Sequence, residues 1–213
     1  MLDTDRGFAH STDPFTIHLA ENVLSPDSVA KLEDSAPTEG FERIEVLDPE
    51  HEKQYAMNLL YLQKDSELCP AAATVPAPWA ELITSLRSPE FVTWLEAGTG
   101  LELRALPTDI GVYTHFDGDY ISVHKDKPDK ALTAILYLNR NWPEELGGLY
   151  EVRASEDPAV PPVRSIAPRG GQLLAFPPTA TSWHAVSEVR TGGTQTRLTV
   201  QLEFWLDNRG RRH

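Results

Sequence analysis

The side chains able to do chemistry in this chain are few and of two kinds, imidazoles and carboxylates. The seven histidines are His10, His18, His51, His115, His124, His184 and His213. Two of them open an H-x-D tripeptide, His115-Phe116-Asp117 and His124-Lys125-Asp126. The second tripeptide closes a strand-like run, Asp119-Tyr120-Ile121-Ser122-Val123. On a strand, residues i and i+2 point to one face, so His124 and Asp126 can reach one metal ion. One further ligand from another strand completes a facial set with three open cis positions, the two-histidine, one-carboxylate geometry suited to Fe(II) that must also bind O2. His184, in the strand-like Ser182-Trp183-His184-Ala185-Val186, is the candidate for that place. His115 and Asp117 form the alternative pair, although Asp117-Gly118-Asp119 reads as a turn. There is no phosphate-binding Gly-rich loop, no G-x-S-x-G and no H-E-x-x-H. The one cysteine, Cys69, excludes a disulfide framework and a Cys-rich zinc site.

These residues need a scaffold. Up to Gly100 the signals are helical. Ser25-Pro26-Asp27 reads as an N-cap, a first-turn proline and an acid, opening a helix to about Asp34. Pro78 starts a second helix. Ser88-Pro89-Glu90 starts a third, with Phe91, Trp94 and Leu95 on one face and a stop expected at Gly98. Strand-like pieces lie at Arg43–Leu47 and Asn58–Gln63. The polar stretch Asp48-Pro49-Glu50-His51-Glu52-Lys53 reads as a solvated loop or a lid. Beyond Gly100, short strands replace helices: Leu101–Leu106, Asp109–Thr114, Asp119–Lys125, Leu132–Asn139, Leu149–Arg153, Gly171–Phe176, Trp183–Val189 and Thr196–Leu206. Turn residues separate them, so a sandwich or barrel is expected, without βαβ alternation.

Composition bounds the partners. The 213 residues carry 19 basic and 32 acidic side chains, a net charge of −13. Such a chain repels phosphate backbones, so neither nucleic acid nor an anionic membrane is expected as a partner. The basic Arg209-Gly210-Arg211-Arg212 segment reads as a solvated end. No run approaches the ~18 apolar residues of a membrane span, and no basic-then-apolar leader opens the sequence. A reducing, cytoplasmic setting is expected.

The order of parts is more specific than any one of them. His124-x-Asp126 is followed by the strand Thr133-Ala134-Ile135-Leu136-Tyr137-Leu138-Asn139, then Gly147-Gly148, then Gly171-x-Leu173-Leu174-x-Phe176, then His184-x-Val186, then Arg197. From Tyr113 to Trp205 this resembles the prolyl 4-hydroxylase-like branch of the Fe(II)/2-oxoglutarate dioxygenases. The resemblance implies a mainly β fold with flanking helices, a double-stranded β-helix (jelly-roll, cupin-like) core under an N-terminal helical layer. A single domain over residues 1–213 is expected, with helical support and a possible lid in 1–100 and the catalytic core in 101–207. The resemblance also implies that His124, Asp126 and His184 hold Fe(II), that Arg197 and Tyr137 grip the distal carboxylate of 2-oxoglutarate, and that Tyr113 lines that pocket. O2 would be the second cosubstrate and ascorbate an accessory reductant. Arg197 lies a little further beyond His184 than the family pattern, and Leu149 stands where an acidic residue is common.

Along the last strand Arg197, Thr199, Gln201 and Glu203 share one face, opposite Leu198, Val200, Leu202 and Phe204. If Arg197 faces a pocket, so do Gln201 and Glu203, and a carboxylate there suits a substrate with a cationic amine. Trp183 is a further candidate at the substrate side. The expected activity is hydroxylation of an unactivated C–H in an amino acid or other small biosynthetic metabolite, with release of succinate and CO2, by a monomer or homodimer. The alternatives are a protein prolyl hydroxylase and a non-enzymatic cupin-like metal-binding module.

Overall fold

A computed structural model describes residues 1–206; the basic segment Arg209-Gly210-Arg211-Arg212 and His213 lie outside the described residues. Two antiparallel sheets curl against each other. The larger one runs, edge to edge, through β1 (Ala9–Ser11), β2 (Ile17–Ala20), β11 (Leu173–Phe176), β8 (Lys130–Tyr137), β13 (Arg197–Trp205), β6 (Thr108–His115), β4 (Tyr55–Lys64) and β3 (Glu42–Val46). The smaller one consists of β7 (Ile121–His124), β12 (His184–Val186), β9 (Tyr150–Val152) and β10 (Arg164–Ile166). A single pairing, Tyr55 with Ile121, joins them, and the short β5 (Glu67–Leu68) hangs on β4. This is the jelly roll that the sequence order implies.

Three helices cover the outer face of the larger sheet. In α1 (Pro26–Asp34) the Ser25 side chain accepts the Ser28 amide at 3.2 Å, and in α3 (Pro89–Thr99) Ser88 accepts the Phe91 amide at 3.2 Å. With α2 (Ala77–Leu86) they bury Val29, Leu32, Trp79, Leu82, Ile83, Phe91 and Leu95 against Val112, Leu136, Val200, Leu202 and Phe204. The helix expected to stop at Gly98 runs on to Thr99 and ends at Gly100, whose φ of 73° is left-handed. Gly98 serves packing instead: the Phe8 ring lies where a β-carbon would be.

Two other expectations change. Leu101–Leu106 is not a strand, because the Leu103 and Arg104 amides are taken by the Glu96 carboxylate at 2.9 and 3.0 Å rather than by a neighbouring strand. The first hundred residues are not chiefly helical either. They contribute β1 to β5 as well as the three helices. Strands β1 and β2 are short, contain His10 and His18, and show no clean alternation. β1 pairs with β2, and β2 with β11, which is remote in sequence and which only the folded sheet supplies.

Candidate active site

The inner faces of the two sheets meet at a cavity of about 100 Å3, lined by Tyr113, His124, Asp126, Lys130, His184 and Arg197 among others. Strand β7 carries His124 and its antiparallel neighbour β12 carries His184, and these two residues are direct register partners. Their rings lie 4.2 Å apart. Asp126 follows β7, and its Oδ1 sits 3.7 Å from His124 Nε2 and 3.9 Å from His184 Nε2. One ligand atom from each of the three falls within 4.8 Å of the others.

Both rings are oriented from behind. The Nδ1 atom of His124 meets the Ser122 carbonyl at 2.9 Å, and that of His184 meets the Ser182 carbonyl at 2.9 Å. A carbonyl only accepts, so each Nδ1 carries the proton and each Nε2 turns a lone pair toward Asp126. Tyr150 stacks on His184 at 5.3 Å and Phe176 meets it edge-on at 4.8 Å. Burial keeps both imidazoles neutral. It pushes His184 down to about 3, helped by the neighbouring His124, and it lowers His124, helped by Lys53. Burial alone would raise Asp126, but the Lys130 ammonium holds it well below the usual carboxylate range. Two neutral nitrogens and one carboxylate oxygen on one face suit Fe(II).

The strand that brings β7 into place is anchored by Asp119. Arg43 of β3 grips its carboxylate with two bonds of 2.7 and 2.8 Å, and the Phe116 amide donates to it at 2.7 Å. Asp119 therefore acts as a buried tie ahead of β7 rather than as part of the strand.

Deeper in, Arg197 is fully buried with no carboxylate partner among the described residues, its Nε donating to the Gly148 carbonyl at 2.7 Å. Gly148 has φ +63°, and a β-carbon there would meet the Arg197 Cδ at 2.9 Å, so Gly148 gives the Arg197 side chain its room. Around it stand buried polar atoms without a hydrogen-bond partner among the described residues: Tyr137 Oη, Thr199 Oγ1, Tyr150 Oη and both ring nitrogens of His115. Register places Thr199 opposite both Tyr113 and Tyr137, and Arg197 opposite His115, all on the inner face. Burial depresses Arg197 and raises Tyr137 to about 12, so at neutral pH the site offers a cation and a phenol donor. A buried cation among unsatisfied donors calls for an anion, and a carboxylate fits the guanidinium fork.

The alternative pair does not assemble. His115 is inside, whereas Asp117 is exposed and accepts the Gly192 amide at 2.7 Å. Gln201 and Glu203 do line the cavity, but the Glu203 carboxylate already has an ammonium: Lys130 Nζ lies 2.7 Å from its Oε1. Trp183 is not among the residues lining the cavity, and Lys125 Nζ lies 4.3 Å over its ring. Sequence reasoning missed Lys53, Lys130, Thr133 and Tyr150, and it placed Thr199 on the Arg197 face without giving it a role. Lys130 was not recoverable, because a register shift between Phe204 and Trp205 sets it opposite Trp205 and turns it inward.

Residues 109–206 match the family model described as the 2OG-Fe(II) oxygenase superfamily. Over those residues the β core is similar to that superfamily. Oxygenases of the family use Fe(II), 2-oxoglutarate and O2, and the donor set above fits the first two. A mouse (Mus musculus) protein named prolyl 3-hydroxylase OGFOD1 is 28% identical over 132 residues, 60% of this chain and 24% of that protein. The match of this chain thus spans about a quarter of that relative's length. Among solved structures, a prolyl-4-hydroxylase from Pseudomonas putida superposes with a TM-score of 0.62 at 16% identity, over 90% of this chain and 93% of that one. The α-ketoglutarate-dependent epimerase SnoN from nogalamycin biosynthesis gives 0.59 at 16% identity, over 89% and 76%. Both likenesses concern the fold. Among the described residues no helix is long and apolar enough to cross a membrane.

Proposed function

We propose that the chain is an Fe(II)- and 2-oxoglutarate-dependent hydroxylase and that its substrate is a prolyl ring presented by a peptide or protein. The observation that carries the oxygenase reading is the pairing of two back-hydrogen-bonded, neutral imidazoles and Asp126 with a buried guanidinium that has no carboxylate partner among the described residues. In this reading His124, Asp126 and His184 hold Fe(II). Arg197, Tyr137 and Thr199 bind the distal carboxylate of 2-oxoglutarate, and Tyr113 and His115 close the pocket around it. Bound Fe(II) supplies coordination of the keto acid and of O2, so that one oxygen atom ends in succinate, CO2 leaves, and the other enters a substrate C–H bond. The chain's part is to fix the three ligands, neutralise the buried dianion and exclude water with Ile135, Tyr150 and Phe176.

One fact supports a prolyl substrate: the relative quoted above is named a prolyl hydroxylase. A second reading, a free amino acid, rests on Lys53. This half-buried ammonium lines the cavity mouth with no ion-pair partner among the described residues, and burial lowers it to about 8. It suits a substrate carboxylate. The single, half-buried Cys69 accords with a reducing, cytoplasmic setting.

Succinate formation from 2-oxoglutarate under air, with Fe(II) and ascorbate, tests the oxygenase reading. Slow turnover by the wild type that vanishes in His124→Ala is expected. Absence of turnover, together with no Fe(II) binding, would favour a metal-free or merely metal-binding jelly roll. Proline-containing peptides should stimulate turnover more than free amino acids; the reverse order selects the second reading.

A further inference from the structure

The two oxygens of Asp126 have different surroundings. Oδ1 faces the two histidine Nε2 atoms. Oδ2 is turned away, accepting the Thr133 hydroxyl at 2.6 Å and lying 3.3 Å from Lys130 Nζ. Lys130 reaches on to Glu203 at 2.7 Å, with its ammonium 5.3 Å from the Trp205 ring. All three charged side chains are nearly enclosed, between 10% and 12% exposed. The order of charge is therefore carboxylate, ammonium, carboxylate, with the first carboxylate belonging to the metal set.

We propose that Lys130 and Thr133 are positioning residues that hold Asp126 as a one-oxygen ligand, and that Glu203 sets how strongly Lys130 acts. The inference rests on the oxygenase reading of the His124–Asp126–His184 set. An outer partner of a metal ligand ordinarily raises its basicity, and removing such a partner weakens metal binding by about 10–100-fold. Lys130 has the opposite sign. It draws charge from the ligand and repels a divalent cation across a few ångströms of poorly screened space. Its gain is geometric. With Oδ2 engaged by two donors, Asp126 cannot swing to bind through both oxygens, which would close one of the positions that 2-oxoglutarate and O2 need. Thr133 does the same without charge. Glu203 offsets most of the Lys130 charge, so the site keeps a usable affinity for the metal.

This account predicts signs that damage to the fold does not. Co(II) binding is measured by calorimetry on metal-free protein, then 2-oxoglutarate binding on the Co(II)-loaded protein, both without turnover. Lys130→Met should bind Co(II) about tenfold more tightly and 2-oxoglutarate about tenfold more weakly. Thr133→Val, which keeps the side-chain shape, should shift both in the same directions by a few-fold. Glu203→Gln, which leaves the Lys130 charge unopposed, should weaken Co(II) binding about threefold. Lys130→Arg should retain wild-type values. If Lys130→Met or Thr133→Val binds Co(II) as weakly as the wild type or more weakly, the positioning role is overturned. It is also overturned if Glu203→Gln moves in the same direction as Lys130→Met. A wild type that binds neither Co(II) nor 2-oxoglutarate overturns the oxygenase reading itself, a result distinguishable from the other two.

Discussion

The two faces of β13 show what the same sheet does with opposite chemistries. Leu198, Val200, Leu202 and Phe204 enter the apolar cluster under the helices. Arg197, Thr199, Gln201 and Glu203 look into the jelly roll, and there the strand meets Tyr113, Tyr137, Lys130 and the cavity. Both faces are buried, apart from Gln201. On the outer face burial is stabilising, because apolar area leaves water and dispersion contacts form. On the inner face burial is costly, because a guanidinium and several hydroxyls lose water without a full set of partners. The difference separates stability from function along a single strand: outer-face substitutions should affect folding, inner-face substitutions should affect ligands.

The largest effect that tests this contrast is on the outer face. Leu202→Ala should cost about 2–5 kcal/mol of unfolding free energy by denaturant titration, while the folded fraction keeps its 2-oxoglutarate affinity. A loss below about 1 kcal/mol would show that the helix-covered cluster is not where the stability resides. Next comes Arg197→Leu, which should weaken 2-oxoglutarate binding about 100-fold and leave the unfolding midpoint unchanged or raised, since an uncompensated buried cation is removed. A large drop in stability would mean that its bond to Gly148 organises the fold.

Asp109 sharpens the comparison from the inner edge. It lies opposite Glu203 in the β6–β13 register, and burial, then the Glu203 charge, raises it to about 6. A carboxyl raised in the folded state disfavours the native form once ionised. The Asp109 contribution to stability is therefore most favourable below the unfolded value near 3.8 and falls as pH rises towards 6. Asp109→Asn keeps an oxygen for the Asp65 amide, which donates to it at 2.7 Å. It should add about 1–3 kcal/mol at pH 7 and flatten the pH 4–6 slope of the unfolding midpoint. An unchanged slope would refute the assignment. The smallest effect expected is that of Tyr137→Phe: about 3–10-fold weaker 2-oxoglutarate binding and no loss of stability, because its hydroxyl has no partner among the described residues.

Much of the site was legible because its parts follow strand periodicity. His124 and Asp126 two residues apart, and Arg197 alternating with Leu198, are local facts of a pleated chain. Their order along the chain carried the family resemblance. The same periodicity gave the wrong result at Leu101–Leu106, where leucines alternate but a carboxylate, not a strand, satisfies the amides. It was silent on β1 and on β2, whose partner β11 is far along the chain from it. It also predicted, correctly, that Glu203 faces the cavity, but gave no sign that Lys130 would be waiting there.

The sequence by itself determined which residues can ligate, which face of β13 is polar, and where helices α1 and α3 begin, since each depends on a few neighbouring residues and on fixed backbone geometry. The tertiary structure decided the rest: which histidine pair meets a carboxylate, that Asp119 is tied to Arg43, and that a slipped register aims Lys130 at Asp126 and Glu203. Charges and donors act through space, and their partners lie on strands that the chain reaches only after long excursions. Pairing of that kind is set by sheet register and curvature, which no short window of sequence contains.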